Sequence, residues 1–214
     1  MYSEDGRKTE CSICLITRQR EREDGTKVTQ YLMVRNNRGM NAGLYNFPGG
    51  HIEENETIDA GNSREIKEET GLEIKDVQAC GRFDISFGHP QENVWPWEQP
   101  NRVRVFIFET DNYSGKLRNP ILKPKQKFPE VKAFWCDEDK IPFDKMRDND
   151  RIWFKMYKKT GYVNNPVFIR EKDKLIGMIP GKSIAKAKEY NETQELNQGL
   201  ISRCRWRAQA EGLC

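Results

Sequence analysis

The chain has 214 residues, of which 36% are hydrophobic and 32% charged, and a formal net charge of +3 at pH 7. That length can bury a sizeable core, and one domain of about 150 to 180 residues with an appendage is the natural division. No stretch approaches the ~18 consecutive apolar residues of a membrane span, and the opening MYSEDGRKTE lacks the basic and apolar regions of a signal peptide. A cytoplasmic protein with no membrane association is expected, and a charge of +3 is too small to argue for nucleic acid. Six cysteines (Cys11, Cys14, Cys80, Cys136, Cys204, Cys214) without an export signal are expected as reduced thiols. Cys11 and Cys14 form a C-x-x-C, but the only histidines, His51 and His89, are not spaced to complete a zinc site, so structural thiols are expected.

In chain order, residues 10–19 and 27–36 read as strands joined across a charged turn at Glu23, Asp24 and Gly25. A strand-like segment at 44–48 ends in Gly49-Gly50. The pattern predicts a helix over 57–70, marked by Ile58 and Ile66, with Thr57 or Asp59 to cap its first turn and Gly71 to stop it in a left-handed conformation. Residues 74–87 and 102–109 read as extended, the second with Val103, Val105, Ile107 and Glu109 on alternate positions. Between them HPQENVWPWEQPN is a loop, and 111–129 is a second long connection holding Lys123, Lys125 and Lys127. A strand at 131–136, a turn-like segment at 141–146 and an amphipathic helix at 149–159 (Ile152, Trp153, Met156, Tyr157) follow. Residues 167–170 and 174–178 flank a Glu171-Lys172-Asp173 turn as a terminal hairpin. Strands mixed with a few helices argue an α/β or α+β sandwich. Residues 1–180 are expected to form the domain and 181–214 a polar, basic C-terminal extension, with Lys182, Lys186, Lys188 and the run Arg203-Cys204-Arg205-Trp206-Arg207. A disordered or partner-docked extension is the expectation, against the alternative that its cations and tryptophan bind single-stranded nucleic acid.

The most specific pattern is GHIEENETIDAGNSREIKEETGL at 50–72. Gly50, Glu56, Arg64, Glu65, Glu68, Glu69 and Gly71, with the apolar Ile66 and Leu72, fit G-x5-E-x7-R-E-U-x-E-E-x-G-U, where U is bulky and apolar. At about 5 to 7% per residue type, that coincidence arises on the order of once in 10⁹ windows. On a helix Glu65, Glu68 and Glu69 stand at i, i+3 and i+4 and project from one face. A merely solvated acidic face has no need of a fixed Gly-Gly and Arg around it. A hard divalent cation resolves the repulsion, and Mg²⁺, with Mn²⁺ as its substitute, commonly bridges carboxylates to substrate phosphates. The implied ligand is a polyphosphate.

This pattern is the Nudix box, and by it the chain resembles the Nudix hydrolases. Two further stretches, VRNNRGMNAGLYNFPGG and FWCDEDKIPFDKMRDNDRIWF, resemble the MutT-type oxidised-purine nucleoside triphosphate hydrolases, the 8-oxo-dGTP diphosphatases of nucleotide sanitation. The resemblance covers roughly residues 9–180 and implies an α/β/α sandwich with a central mixed β-sheet. It implies that the Gly50 carbonyl with Glu65, Glu68 and Glu69 holds the metals, that Glu130 is a further metal-associated glutamate, and that Glu56 and Arg64 form a structural ion pair. Glu68, Glu69 or Glu130 then accepts the proton as water attacks phosphorus, a choice the sequence leaves open. The family's base-reading residues fall on Asn46 and on Asn149 and Asp150, where an acidic pair is replaced by one amide and one acid. Arg147 stands where some members carry a base-stacking tryptophan, and Met40 where they carry an aromatic. The plain readings are a strand-end turn residue for Asn46 and a favourable helix N-terminal charge for Asp150. Lys123, Lys125 and Lys127 are either a solvated loop or an approach to the phosphate tail.

The expected partner is therefore a nucleoside triphosphate, first an oxidised purine nucleotide cleaved to the monophosphate and pyrophosphate. Another nucleoside diphosphate derivative, including a non-oxidised triphosphate, is the first alternative. A nucleotide-sensing module without hydrolysis is the second, and intact Glu65, Glu68 and Glu69 argue against it. Oligomeric state is not legible in the sequence.

Overall fold

A computed structural model describes residues 9–37, 41–88, 102–118 and 130–181. Ten strands and two α-helices are present among them: β1 Thr9–Glu21, β2 Lys27–Asn36, β3 Tyr45–Asn46, α1 Ile58–Thr70, β4 Leu72–Ile74, β5 Gln78–Phe87, β6 Arg102–Thr110, β7 Tyr113–Gly115, β8 Val131–Asp137, α2 Asp148–Thr160, β9 Val163–Glu171 and β10 Lys174–Ile179. They fall into two compact units, one of Ser12–Val77 and Phe108–Arg147, the other of Gln78–Ile107 and Asp148–Cys214 with Met1–Cys11. Residues of β1 and β6 are divided between them.

In the first unit β2 is the central strand. It pairs antiparallel with β1 (Thr17↔Tyr31 to Glu21↔Lys27), with β8 (Gln30↔Asp137 to Asn36↔Val131) and with the two-residue β3 (Val34↔Asn46). Leu15, Ile16, Leu32 and Met33 are fully buried although neighbours in a strand point to opposite faces, so both faces of this sheet are covered. Helix α1 contributes Ile66, also fully buried. Its start is set by Thr57, whose hydroxyl accepts from the Ala60 N–H at 3.2 Å, and its end by Gly71, at φ 77°, whose N–H donates to Lys67 O. A small antiparallel sheet of β4 and β7 (Leu72↔Gly115, Ile74↔Tyr113) follows directly on that helix.

In the second unit β5 and β9 run parallel (Gly81↔Val163 to Phe87↔Arg170) and β9 and β10 antiparallel, which makes the sheet mixed. Helix α2 lays Trp153 in stacked contact on Phe83, with ring centroids 5.7 Å apart, and Phe83 meets Phe168 edge-on at 5.5 Å. Gly81 is required where β5 approaches β9, because a Cβ there would lie 2.1 Å from Val163 O.

The expected strands at 10–19, 27–36, 102–109 and 131–136, both helices and the terminal hairpin are present to within a few residues. Three differences have physical causes. The segment expected over 44–48 is a strand only at Tyr45–Asn46, because its last part pairs with β1 through Cys14 N–H to Pro48 O at 2.9 Å and then turns at the glycines. The run expected over 74–87 is cut into β4 and β5 at Asp76, which takes a left-handed φ of 48°. The connection after residue 111 contains β7, whose partner lies far away in sequence. The loop at 89–101, the lysines Lys123, Lys125 and Lys127, and the extension from residue 182 lie outside the described residues.

Candidate active site

The ends of two elements of the first unit meet at Gly49-Gly50. Ser12 N–H donates to Gly50 O at 2.8 Å, which pins this segment along β1. A Cβ on Gly50 would lie 2.4 Å from the Glu65 carboxyl carbon, and one on Gly49, at φ 146°, would lie 2.2 Å from Ser12 O. Only glycine lets backbone and carboxylate come this close. Gly49 N–H donates to Glu69 Oε2 at 2.9 Å, so the two glycines touch two of the three α1 glutamates.

Arg64 organises the other side of α1. Its Nη2 donates to Glu56 Oε1 at 2.6 Å and its Nε to Glu56 Oε2 at 3.1 Å, the two-pronged geometry that a guanidinium makes with a carboxylate. The same group donates to His51 O at 2.8 Å and to Glu65 Oε1 at 3.0 Å, and stands 3.6 Å from Glu68 Oε1. Glu53 N–H adds a third donor to Glu56. Arg64, then the Glu53 N–H, holds the Glu56 carboxyl down at about 2. The loop after Gly50 is thereby fastened to the helix.

Glu69 experiences the opposite. Burial pushes its carboxyl up to about 8, the Gly49 N–H opposes this, and the charges of Glu65, Glu130 and Glu68 push it further up. Glu65 is raised as well, by burial against the pull of Arg64 and with repulsion from Glu68 and Glu56. Glu68 is exposed, and Glu130 stands just before β8, where its carbonyl accepts from Asn37 N–H at 2.9 Å. Among the described residues no three His, Cys, Asp or Glu side chains are already drawn into a closed metal cage. The donor chemistry nevertheless suits a hard cation: carboxylate oxygens and the Gly50 carbonyl, gathered where burial, and then the neighbouring negative charges, raise the proton affinity of Glu69.

The base-reading candidates are distributed. Asn46 lies on β3 opposite Val34, half-buried, and its Oδ1 accepts from Phe47 N–H at 2.9 Å. Arg147 donates through Nε and Nη2 to Asn41 Oδ1 at 3.1 and 2.7 Å, so its guanidinium plane is held in place. Met40 lies outside the described residues. Asn149 and Asp150 occupy the first turn of α2 in the second unit and are buried, at 1% and 6% exposure. Sequence reasoning missed Arg170 on β9, which is 2% exposed and donates to Asn149 Oδ1 at 2.8 Å. Its one signal was a charged residue closing the apolar run Val167-Phe168-Ile169. It also missed the Gly49 N–H as a partner of Glu69, because a backbone donor leaves no mark in composition.

A family model described as NUDIX domain matches residues 9–157. The chain is 33% identical over 117 residues to the oxidized purine nucleoside triphosphate hydrolase of Danio rerio, covering 55% of this chain and 64% of that protein. It is 31% identical, over the same length and with the same shares, to the protein of that name from Mus musculus. The chain thus spans 64% of the length of these curated relatives. Among solved structures, the MutT protein of Bacillus halodurans matches with a TM-score of 0.60 at 20% identity, covering 80% of this chain and 96% of that chain.

Proposed function

This chain belongs to the NUDIX domain family and has the α/β/α sandwich with a central mixed β-sheet of the MutT structures, and we propose that it is a Mg²⁺-dependent nucleoside triphosphate pyrophosphohydrolase. Its substrate is an oxidised purine nucleotide of the 8-oxo-dGTP kind, released as the monophosphate and pyrophosphate, a sanitation of the nucleotide pool. The observation that carries the reading is the meeting of Glu65 and Glu69 with the Gly49-Gly50 backbone, where burial, and then the charges of Glu65, Glu130 and Glu68, raise the Glu69 carboxyl to about 8. The substrate class is supported by the name of the relatives at 33% and 31% identity.

In this mechanism the Gly50 carbonyl, Glu65, Glu68, Glu69 and Glu130 would hold Mg²⁺, or Mn²⁺ as its substitute. When bound, the metal neutralises charge on the phosphate oxygens and acidifies a water. The chain's own residues set the geometry. Gly49 N–H fixes Glu69 Oε2, and Arg64 ties the loop at His51 and Glu56 to α1, so that the glutamates keep one spacing. A carboxylate oxygen of Glu68, Glu69 or Glu130 takes the proton of the attacking water, and the exposure of Glu68 suits a group that must change partners. Asn46, whose Oδ1 is occupied by Phe47 N–H, offers its amide Nδ2 to an acceptor on the base edge. Arg147 offers a flat cation to the ring face; Asp150, in the second unit, is carried as a base-edge acceptor by the family's pattern alone.

The amide at Asn149, where the family's pattern carries an acid, favours a second reading in which a non-oxidised triphosphate is the better substrate. A panel of canonical and oxidised purine triphosphates, compared by kcat/KM, separates the two. We expect an oxidised purine to rank first and Asn46→Ala and Asp150→Ala to reorder the panel. An unaltered ranking in both variants contradicts the base-reading assignment.

A further inference from the structure

Arg170 enters α2 from β9 and touches its first turn at two residues. Its Nη1 donates to Asp148 Oδ1 and, at 2.8 Å, to Asn149 Oδ1, while its Nη2 donates to the Asp173 carbonyl in the β9–β10 turn. Asp148 is held from the other side by Leu175 N–H, 2.8 Å from Oδ2. That much is a stitch between a helix and a hairpin. The contact to Asn149 does something the stitch does not require. A guanidinium can only donate, so the Asn149 amide must present its oxygen to Arg170 and its nitrogen the other way. The nitrogen then donates to Asp150 Oδ1 at 3.0 Å, and Trp153 Nε1 donates to the same oxygen at 2.9 Å. Two N–H donors on this one oxygen fix the orientation of the Asp150 carboxyl.

We propose that Arg170 and Asn149 are positioning residues for substrate selection: through the fixed amide of Asn149 they hold the Asp150 carboxyl in one orientation, as an acceptor for an N–H group on the purine edge. Asn149 acts through Asp150 and does not itself contact the base, consistent with its 1% exposure and with both ends of its amide being occupied inside the protein. The proposal rests on the reading of Asp150 as a base-reading residue. Asn149 stands at the family's base-reading position, and Arg170, 21 residues away on another strand, leaves no signal in the sequence around Asn149.

The test compares the full chain with Arg170→Met, Arg170→Lys, Asn149→Leu, Asp148→Asn and Asp150→Ala on the purine triphosphate that the panel ranks first and on a base-free ribose triphosphate. Arg170→Met and Asn149→Leu are expected to lower kcat/KM for the purine substrate about tenfold more than for the base-free one, through KM, the size of one charged hydrogen bond. Arg170→Lys, which keeps a donor toward Asn149, is expected to recover part of that loss. Asp148→Asn, which weakens the stitch and leaves the amide relay, is expected to lower Tm without changing the ratio between the two substrates. If Arg170→Met fails to fold, Asn149→Leu carries the comparison alone. Equal losses on both substrates would mean a purely structural role and overturn the proposal. A shifted ratio in Asp150→Ala with none in Asn149→Leu and Arg170→Met overturns it while leaving the reading of Asp150 standing. No shift in any of the three overturns both.

Discussion

Replacing Glu69 by Gln is expected to stabilise the metal-free protein, a direction opposite to that of most changes at a half-buried site. Burial and the charges of Glu65, Glu130 and Glu68 raise the Glu69 carboxyl from the ordinary 4.5 to about 8. The native state therefore holds a proton there that the unfolded chain has already given up. Its contribution to stability is complete below pH 4.5 and is lost as pH rises toward 8. At about 1.4 kcal/mol per tenfold change in proton affinity, the rise from 4.5 to about 8 corresponds to about 5 kcal/mol, which partial solvent exposure of the side chain reduces to about 2 kcal/mol. Urea unfolding in the presence of a chelator, followed by tryptophan fluorescence at pH 5, 6.5 and 8, reads this directly. Wild type is expected to lose about 2 kcal/mol between pH 5 and 8 that Glu69→Gln retains. Adding Mg²⁺ at about 100 times its dissociation constant is expected to restore wild type by about 2.7 kcal/mol and to leave the variant nearly unchanged. A wild-type stability that does not fall over this range, or a variant equally destabilised at pH 5 and 8, would refute the electrostatic account of the site.

Glu56 has the opposite pH signature. Arg64 and the Glu53 N–H hold its carboxyl at about 2, so its contribution is present above the ordinary 4.5 and fades as pH falls toward 2. The urea midpoint of Glu56→Gln is expected below that of wild type at pH 6, with the gap closing at pH 2.5. Gly50→Ala would put a methyl 2.4 Å from the Glu65 carboxyl carbon and is expected to lower kcat/KM by about 10²-fold through displacement of that side chain, with Tm within a few degrees of wild type. Cys14 is fully buried and its thiol is pushed up to about 12 from the ordinary 9.0, giving about 10³-fold less thiolate. Mass-spectrometric mapping after alkylation at pH 8 is expected to find Cys14 unmodified in the native protein and modified after unfolding.

What could be read from the sequence was local. The helix at Ile58–Thr70 was legible because cap, apolar marker and stop (Thr57, Ile66, Gly71) all lie within one short segment and agree. The same holds for the hairpin around Lys172, and for the face shared by Glu65, Glu68 and Glu69, which is a matter of helical spacing alone. Long-range pairing was not legible. Strand β7 exists because Tyr113–Gly115 meets Leu72–Ile74 at the end of α1, and nothing in YSG announces that partner. The parallel pairing of β5 with β9 depends on Gly81 lying against Val163, more than 80 residues later in the chain. At the site, the residue types were visible but their hydrogen bonds were not. The family's pattern singles out Asn149, but that its amide accepts from Arg170 and donates to Asp150 is visible only in the structure.

The central claim is metal-dependent cleavage of a nucleoside triphosphate to the monophosphate and pyrophosphate. Phosphorus NMR of 8-oxo-dGTP incubated with the full chain tests it most directly, with and without Mg²⁺ and with Glu68→Gln as the control. The account predicts equimolar monophosphate and pyrophosphate with Mg²⁺ present, and neither product with a chelator or with the variant. Inorganic phosphate with the diphosphate as products, or turnover unaffected by chelation, would contradict it.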